Sequence, residues 1–116
     1  MRILVIDDEQ SILSVLSDWL SSEGHKVIGI TGGRHASDWV RKQSIDVVLL
    51  DMRLPDLDGM TIIPDLAATG TKVIAISGMA RDSWATEAYN KGVLGCLSKP
   101  ISLVDLKSLL DAAQVD

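Results

Sequence analysis

The stretch Val47–Gly59, VVLLDMRLPDLDG, decides how the rest of the chain is read. Four apolar residues with no polar interruption mark a strand buried on both faces, since a strand with one wet face alternates in polarity. The run then meets a carboxylate, Asp51, followed by a turn rich in Pro, Asp and Gly. A core strand that ends on a charge delivers that charge to a site.

Working outward, comparable runs recur: RILVI (2–6), KVIGI (26–30), DVVLL (46–50), KVIAI (72–76) and GCL (95–97). Segments of helical period separate them. Ser11–Ser22 places Ile12, Val15, Leu16, Trp19 and Leu20 on one stripe, an amphipathic helix. Arg34–Gln43, Gly59–Ala68 and Arg81–Lys91 read as the next helices, with Gly70 and Gly92 as stops. The last helix opens on SLVD, with Ser102 as N-cap and Asp105 at the box position, and turns Leu106, Leu109, Leu110 and Ala113 inward. Strict alternation predicts an α/β fold: a five-stranded parallel sheet with right-handed crossovers and helices on both faces, a three-layer (βα)5 unit.

At 116 residues and 47% hydrophobic content, residues 1–116 form one domain, able to bury a core without disulfide or metal staples. The single cysteine, Cys96, forms no intrachain disulfide. Net charge is −5 and the Lys and Arg residues are scattered, which argues against direct nucleic acid binding. No run is long enough for a secretory or membrane-spanning segment, so no membrane association and a cytoplasmic location are expected.

In an open α/β sheet the ligand site lies outside the carboxyl ends of the strands. Those ends carry Asp7, Asp8 and Glu9 on the first strand, Asp51 on the third, Ser77 on the fourth, and Lys99 with Pro100 on the fifth. Carboxylates gathered there repel one another, and a divalent cation would relieve the repulsion. With only oxygen ligands and no His or Cys, the expected cofactor is Mg²⁺. Lys99 and the Ser77 hydroxyl would then be free to hold phosphoryl oxygens.

Other chemistries fail on detail. AISGM lacks the glycines of a nucleophile elbow, and GITGGR has neither dinucleotide spacing nor a P-loop lysine. His25 and His35 read as surface residues, Trp19 and Trp39 as core. A Mg²⁺-dependent phosphatase for outside substrates would need a D-x-D spacing that the first strand lacks.

Four motifs in register, VIDDE (5–9), LLDMRLPDLDG (49–59), AISG (75–78) and LSKP (97–100), resemble the receiver domain of two-component response regulators. The resemblance spans essentially the whole chain. It implies strand order 2-1-3-4-5, with Asp51 as phosphoacceptor for a histidine kinase or histidine phosphotransfer protein. It also implies a Mg²⁺ held by Asp7, Asp8, Asp51 and the backbone carbonyl of Met52. Ser77 resembles the hydroxyl residue that turns to the phosphoryl group, Lys99 the lysine that pairs with it, and Pro100 the proline on a cis bond. No activity toward outside substrates is implied, only self-phosphorylation and self-dephosphorylation.

The chain departs from that family in places. Cys96 stands where an aromatic residue usually precedes the lysine by three, Gly78 where Ala is commoner, and Lys91 and Val93 flank Gly92 where small residues are usual. Arg53 and Met79 occupy positions that border the water path in the family, which predicts slow self-dephosphorylation. The competing reading is a phosphorylation-independent interaction scaffold on the same fold.

Overall fold

The computed structural model describes residues 1–79 and 83–114. Five strands, β1 (Arg2–Ile6), β2 (Lys26–Ile30), β3 (Val47–Asp51), β4 (Lys72–Ser77) and β5 (Gly95–Ser98), form one sheet in the order β2-β1-β3-β4-β5. All four pairings are parallel. The helices are α1 (Gln10–Ser22), α2 (Ala36–Gln43), α3 (Ile63–Ala68), α4 (Ala85–Lys91) and α5 (Leu103–Ala113). Among the described residues no helix is long and apolar enough to cross a membrane.

The continuous apolar runs behave as two-faced strands must. In β1 and β3, Leu4, Ile6, Val48 and Leu50 enter the core under α2, α3 and α4, where Ala36, Val40, Ile63, Leu66, Trp84 and Ala88 meet them. Their alternates Ile3, Val5, Val47 and Leu49 face α1 and α5 with Leu13, Leu16, Leu20, Leu106 and Leu110. Burying both faces of the central strands excludes water from them and leaves their ends wet.

Several local expectations are corrected. In α1 the inward stripe is Leu13, Leu16 and Leu20, with Ile12 and Trp19 flanking it, while Val15 is 62% exposed. At roughly 100° per residue, Val15 lies beyond those flanks on the solvent side. The segment Gly59–Ala68 is broken: a 3-10 turn, Gly59–Thr61, precedes α3. Pro64, in the first turn of α3, lacks an N–H and would clash with the Met60 carbonyl in a continuous helix. β3 runs one residue later than read, taking in Asp51 and leaving out Asp46, whose carboxylate accepts the Arg2 N–H at 2.8 Å.

Helix α2 begins at Ala36, not Arg34, and the expected start of α4 at Arg81 lies outside the described residues. Trp19 and Trp39 are only partly buried at the margins of the two cores. The fully packed tryptophan is Trp84, 4% exposed. His35 is exposed, whereas His25 is half-buried and its Nδ1 lies 3.1 Å from the Met1 amino group. The Ser102 cap is as expected, its Oγ accepting the Asp105 N–H at 3.2 Å.

Gly59 fixes how the chain leaves β3. A Cβ there would stand 2.6 Å from the Asp51 carbonyl oxygen and 2.9 Å from the Met52 Cα, backbone atoms that cannot step aside. Gly78 has nothing within 4 Å of its hypothetical Cβ. Gly59→Ala should therefore cost about 2 kcal/mol, the range of overpacked sites, read as a lower urea midpoint at unchanged slope. Gly78→Ala should change stability by less than ~1 kcal/mol, with a correspondingly smaller shift of the midpoint. Equal midpoints for the two variants would contradict the close-approach argument.

Candidate functional site

Register brings the strand ends together. β1 and β3 are neighbours, so Asp7, just beyond β1, and Asp51, the last residue of β3, share one edge of the sheet. Both side chains are nearly fully buried, at 2% and 4% exposure, although each is an ionisable group. Asp8 points to solvent beside them. One oxygen of each of Asp7, Asp8 and Asp51 falls within 4.8 Å of the others, spacing that a small divalent cation can bridge.

Lys99 enters from the other side, after β5 and on the cis Lys99–Pro100 bond. Its Nζ lies 3.1 Å from Asp51 Oδ2, 3.2 Å from Asp7 Oδ2 and 3.2 Å from Glu9 Oε1. Burial alone would lower the pKa of this ammonium, but the bond and charge of Asp51, with Asp7 and Glu9, outweigh it and hold the group well above 10.5. The second oxygen of each buried carboxylate is held by backbone. Asp51 Oδ1 accepts the Arg53 N–H at 3.0 Å, and Asp7 Oδ1 accepts the Glu9 N–H at 2.9 Å.

Ser77, fully buried at the end of β4, stands one residue past Ile76, the register partner of Asp51. Its Oγ accepts the Met79 N–H at 3.0 Å, so the hydroxyl oxygen is engaged within its own turn. The Met79 carbonyl in turn accepts the Trp84 indole N–H at 3.4 Å. The Met52 carbonyl accepts the Gly59 N–H at 2.9 Å, which leaves its second lone pair for any other partner. Across the mouth of the site, Arg53 Nη2 donates to Met79 Sδ at 3.3 Å. These two residues also line an open cavity of about 640 Å³ with Met52, Met60 and Trp84.

Sequence reasoning placed Asp7, Asp8, Asp51 and Lys99 in one cluster and the geometry brings them together. It assigned no role to Glu9, which completes the ring around Lys99. The sequence separation of 90 residues hides that pair, and only the DDE run hinted at it. The donors are all hard oxygens with an ammonium beside them, which suits a divalent cation of the magnesium or calcium class and a phosphoryl group.

The chain matches the response regulator receiver domain family over residues 3–111. It is 32% identical over 113 residues to the transcriptional regulatory protein ZraR of Escherichia coli (strain K12), covering 96% of this chain and 26% of that protein. It is 28% identical over 108 residues to sporulation initiation phosphotransferase F of Bacillus subtilis (strain 168), covering 91% of this chain and 87% of that protein. A response regulator receiver domain protein from Clostridium thermocellum superposes with a TM-score of 0.86 at 31% identity, over 97% of this chain and 92% of the other. The chain spans about a quarter of the length of curated relatives such as ZraR.

Burial, reinforced by the Asp51 charge, pushes the Asp7 carboxyl above 3.8, against the opposing bond from Glu9 and the charge of Lys99. A carboxyl raised in the fold binds its proton more tightly there than when unfolded. Its contribution to stability is thus fullest below 3.8 and is lost as pH rises through the folded value. At neutral pH without metal, Asp7→Asn should raise Tm, each kcal/mol being worth about 4 °C in a domain of this size. In the wild type, a divalent cation at roughly tenfold excess over Kd should add about 1.4 kcal/mol. Thermal melts in chelator and in Mg²⁺ check both, and a metal response undiminished in Asp7→Asn would place the cation elsewhere.

Proposed function

The chain belongs to the response regulator receiver domain family, and on that premise we propose that it is a phosphorylation-controlled signalling module of a two-component system or phosphorelay. The observation that carries the reading is the Asp51 carboxylate, buried, 3.1 Å from Lys99 and within 4.8 Å of the Asp7 and Asp8 oxygens. The span 1–116 is read as one receiver domain, cytoplasmic, contacting a histidine kinase or histidine phosphotransfer protein and then an output protein. Nothing in its charge recommends nucleic acid as a direct partner.

In this proposal Asp51 Oδ attacks the phosphorus of a phosphohistidine. The new O–P bond forms as the P–N bond breaks, and the imidazole keeps the electron pair and takes a proton. Charge gathers on the equatorial phosphoryl oxygens, so placement and positive charge supply most of the rate. Lys99 meets one of those oxygens, leaving Glu9 and Asp7. Asp7, Asp8, Asp51 and the free lone pair of the Met52 carbonyl would hold Mg²⁺, which supplies charge neutralisation between acceptor and phosphoryl group. Arg53, bonded to Met79 Sδ, and Met79 are read as shielding the acyl phosphate from water and so lengthening its life. The scaffold reading is not favoured, because the complete acceptor constellation would then have no use.

Ser77 connects the site to the interior. A rotation of its side chain toward a phosphoryl oxygen would break the bond that its Oγ accepts from the Met79 N–H, and the Met79 carbonyl is the acceptor of the Trp84 indole. Trp84 packs in the core that also holds Cys96. On this reading the change at Ser77 passes through Met79 to Trp84, which takes the place of a strand-five ring as the element read by a partner.

Two measurements test the proposal. Incubation with acetyl phosphate and Mg²⁺ should add one phosphoryl mass to the intact protein, and Asp51→Asn should add none. A gain surviving in that variant excludes Asp51 as acceptor. In a Trp19→Phe/Trp39→Phe background, with Trp84 the only tryptophan, beryllofluoride with Mg²⁺ should change emission and quenching. Unaltered emission at independently demonstrated saturation would remove Trp84 from the readout.

A further inference from the structure

The glycine pair of GITGGR has no place in the phosphoryl-transfer reading, yet its geometry is tight. Neither Gly32 nor Gly33 has a positive φ. Both are crowded instead by the loop after β3. A Cβ on Gly32 would stand 2.9 Å from Asp56 Oδ2, and one on Gly33 would stand 2.9 Å from Leu54 Cδ1 and 3.0 Å from Leu57 Cδ1.

Asp56 uses that proximity. Its Oδ1 accepts the Gly33 N–H at 3.1 Å and its Oδ2 accepts the Arg34 N–H at 2.9 Å, so one carboxylate grips two consecutive amides ahead of α2. Helix α2 has no side-chain cap of its own at His35. These bonds, that of Gly33 foremost, hold the Asp56 carboxyl below its ordinary value of 3.8 although the residue is exposed.

The loop that carries Asp56 is the loop that orients the phosphoacceptor. At its base the Gly59 N–H bonds the Met52 carbonyl at 2.9 Å, Arg53 and Asp58 form an isolated antiparallel bridge, and the Arg53 N–H meets Asp51 Oδ1 at 3.0 Å. The base is tied to β3, and the tip is tied to Gly33 and Arg34 through Asp56, with Leu54 and Leu57 against Gly33 and Leu54 also packed on the core. We propose that Asp56 is a positioning residue of the phosphorylation site, clamping the tip of the β3 loop to the β2–α2 loop so that the Arg53 N–H and Met52 carbonyl stay aligned with the Asp51 carboxylate.

The proposal rests on the reading of Asp51 as phosphoacceptor and deepens it. Removing an outer partner that orients a metal and phosphoryl site costs about 10-fold in affinity or rate. Asp56→Ala should weaken the apparent Mg²⁺ affinity and slow acetyl phosphate-dependent phosphorylation by about that factor. Asp56→Asn keeps an acceptor oxygen for one of the two amides and none for the other, and should be impaired less than Asp56→Ala. Asp111→Ala, which removes the same charge from the surface of α5, should behave as wild type.

Amide hydrogen exchange supplies a readout independent of phosphorylation: Asp56→Ala should speed exchange at Gly33, Arg34 and Arg53 while the amides of β1 and β3 stay protected. Wild-type Mg²⁺ affinity and rate in Asp56→Ala, or unchanged exchange at Arg53, would overturn the clamp. Equal impairment of Asp56→Asn and Asp56→Ala would overturn it too, by making the effect one of charge. A wild type that takes no phosphoryl group would sink the reading of Asp51, and exchange at Arg53 would still decide the clamp.

Discussion

One ammonium holds this molecule's active edge together. Lys99 Nζ sits within 3.2 Å of oxygens on Asp51, Asp7 and Glu9, and two of those carboxylates are almost fully buried. Two bare carboxylates at the end of a water-excluding sheet would repel each other and lose their hydration together. The lysine offsets part of that cost, and the backbone N–H groups of Arg53 and Glu9 offset more. What remains unbalanced is visible in Asp7, whose carboxyl is raised by burial despite both partners. The fold thus keeps an excess of negative charge at a cluster compatible with a divalent cation, and the sheet supplies the stability that tolerates it.

That tolerance has a structural source. The four apolar residues before Asp51 are wholly buried, with alternate side chains feeding two separate cores. A strand so anchored cannot slide by one residue without reversing both faces. The register that sets Asp51 opposite Ile76, and Ser77 one step beyond, is therefore fixed by hydrocarbon packing remote from the charges. Gly59 then allows the chain to fold back closely over the Asp51 carbonyl.

The same physics explains how much could be read from the sequence. The strands were legible because a run such as VVLLD has one arrangement that leaves no face wet, and the cluster was legible because α/β topology sends every strand end to one edge. Face assignment on α1 was less so: Leu13 and Val15 are both apolar and two residues apart, and only the position of the sheet decides that Leu13 is buried and Val15 is not. The break at Pro64 was written in the sequence and outweighed by a helical period. Contacts between loops left the weakest trace. Glu9 with Lys99, Arg53 with Met79, and Asp56 with Gly33 and Arg34 join residues 22 to 90 positions apart through single polar atoms, with no periodicity to announce them.

Cys96 and Trp84 show how such distant positions compensate. Both lie in the core under α2, α3 and α4, Cys96 on β5 and Trp84 at the N-cap of α4, each nearly fully buried. Interiors pack at near-crystalline density, so a small residue on the strand implies volume supplied from a neighbour. Trp84 supplies volume in that core and brings a polar handle, the indole N–H, which a buried tryptophan must satisfy. The acceptor it finds is the Met79 carbonyl, whose residue also donates its N–H to Ser77 Oγ. Packing and hydrogen bonding thus converge on one residue between the hydroxyl at the end of β4 and the ring that fills the core. The Met79 N–H and carbonyl belong to successive peptide planes that meet at its Cα, so the Ser77 hydroxyl and the Trp84 indole are bonded to one residue, and the φ and ψ of Met79 set how closely the two are linked.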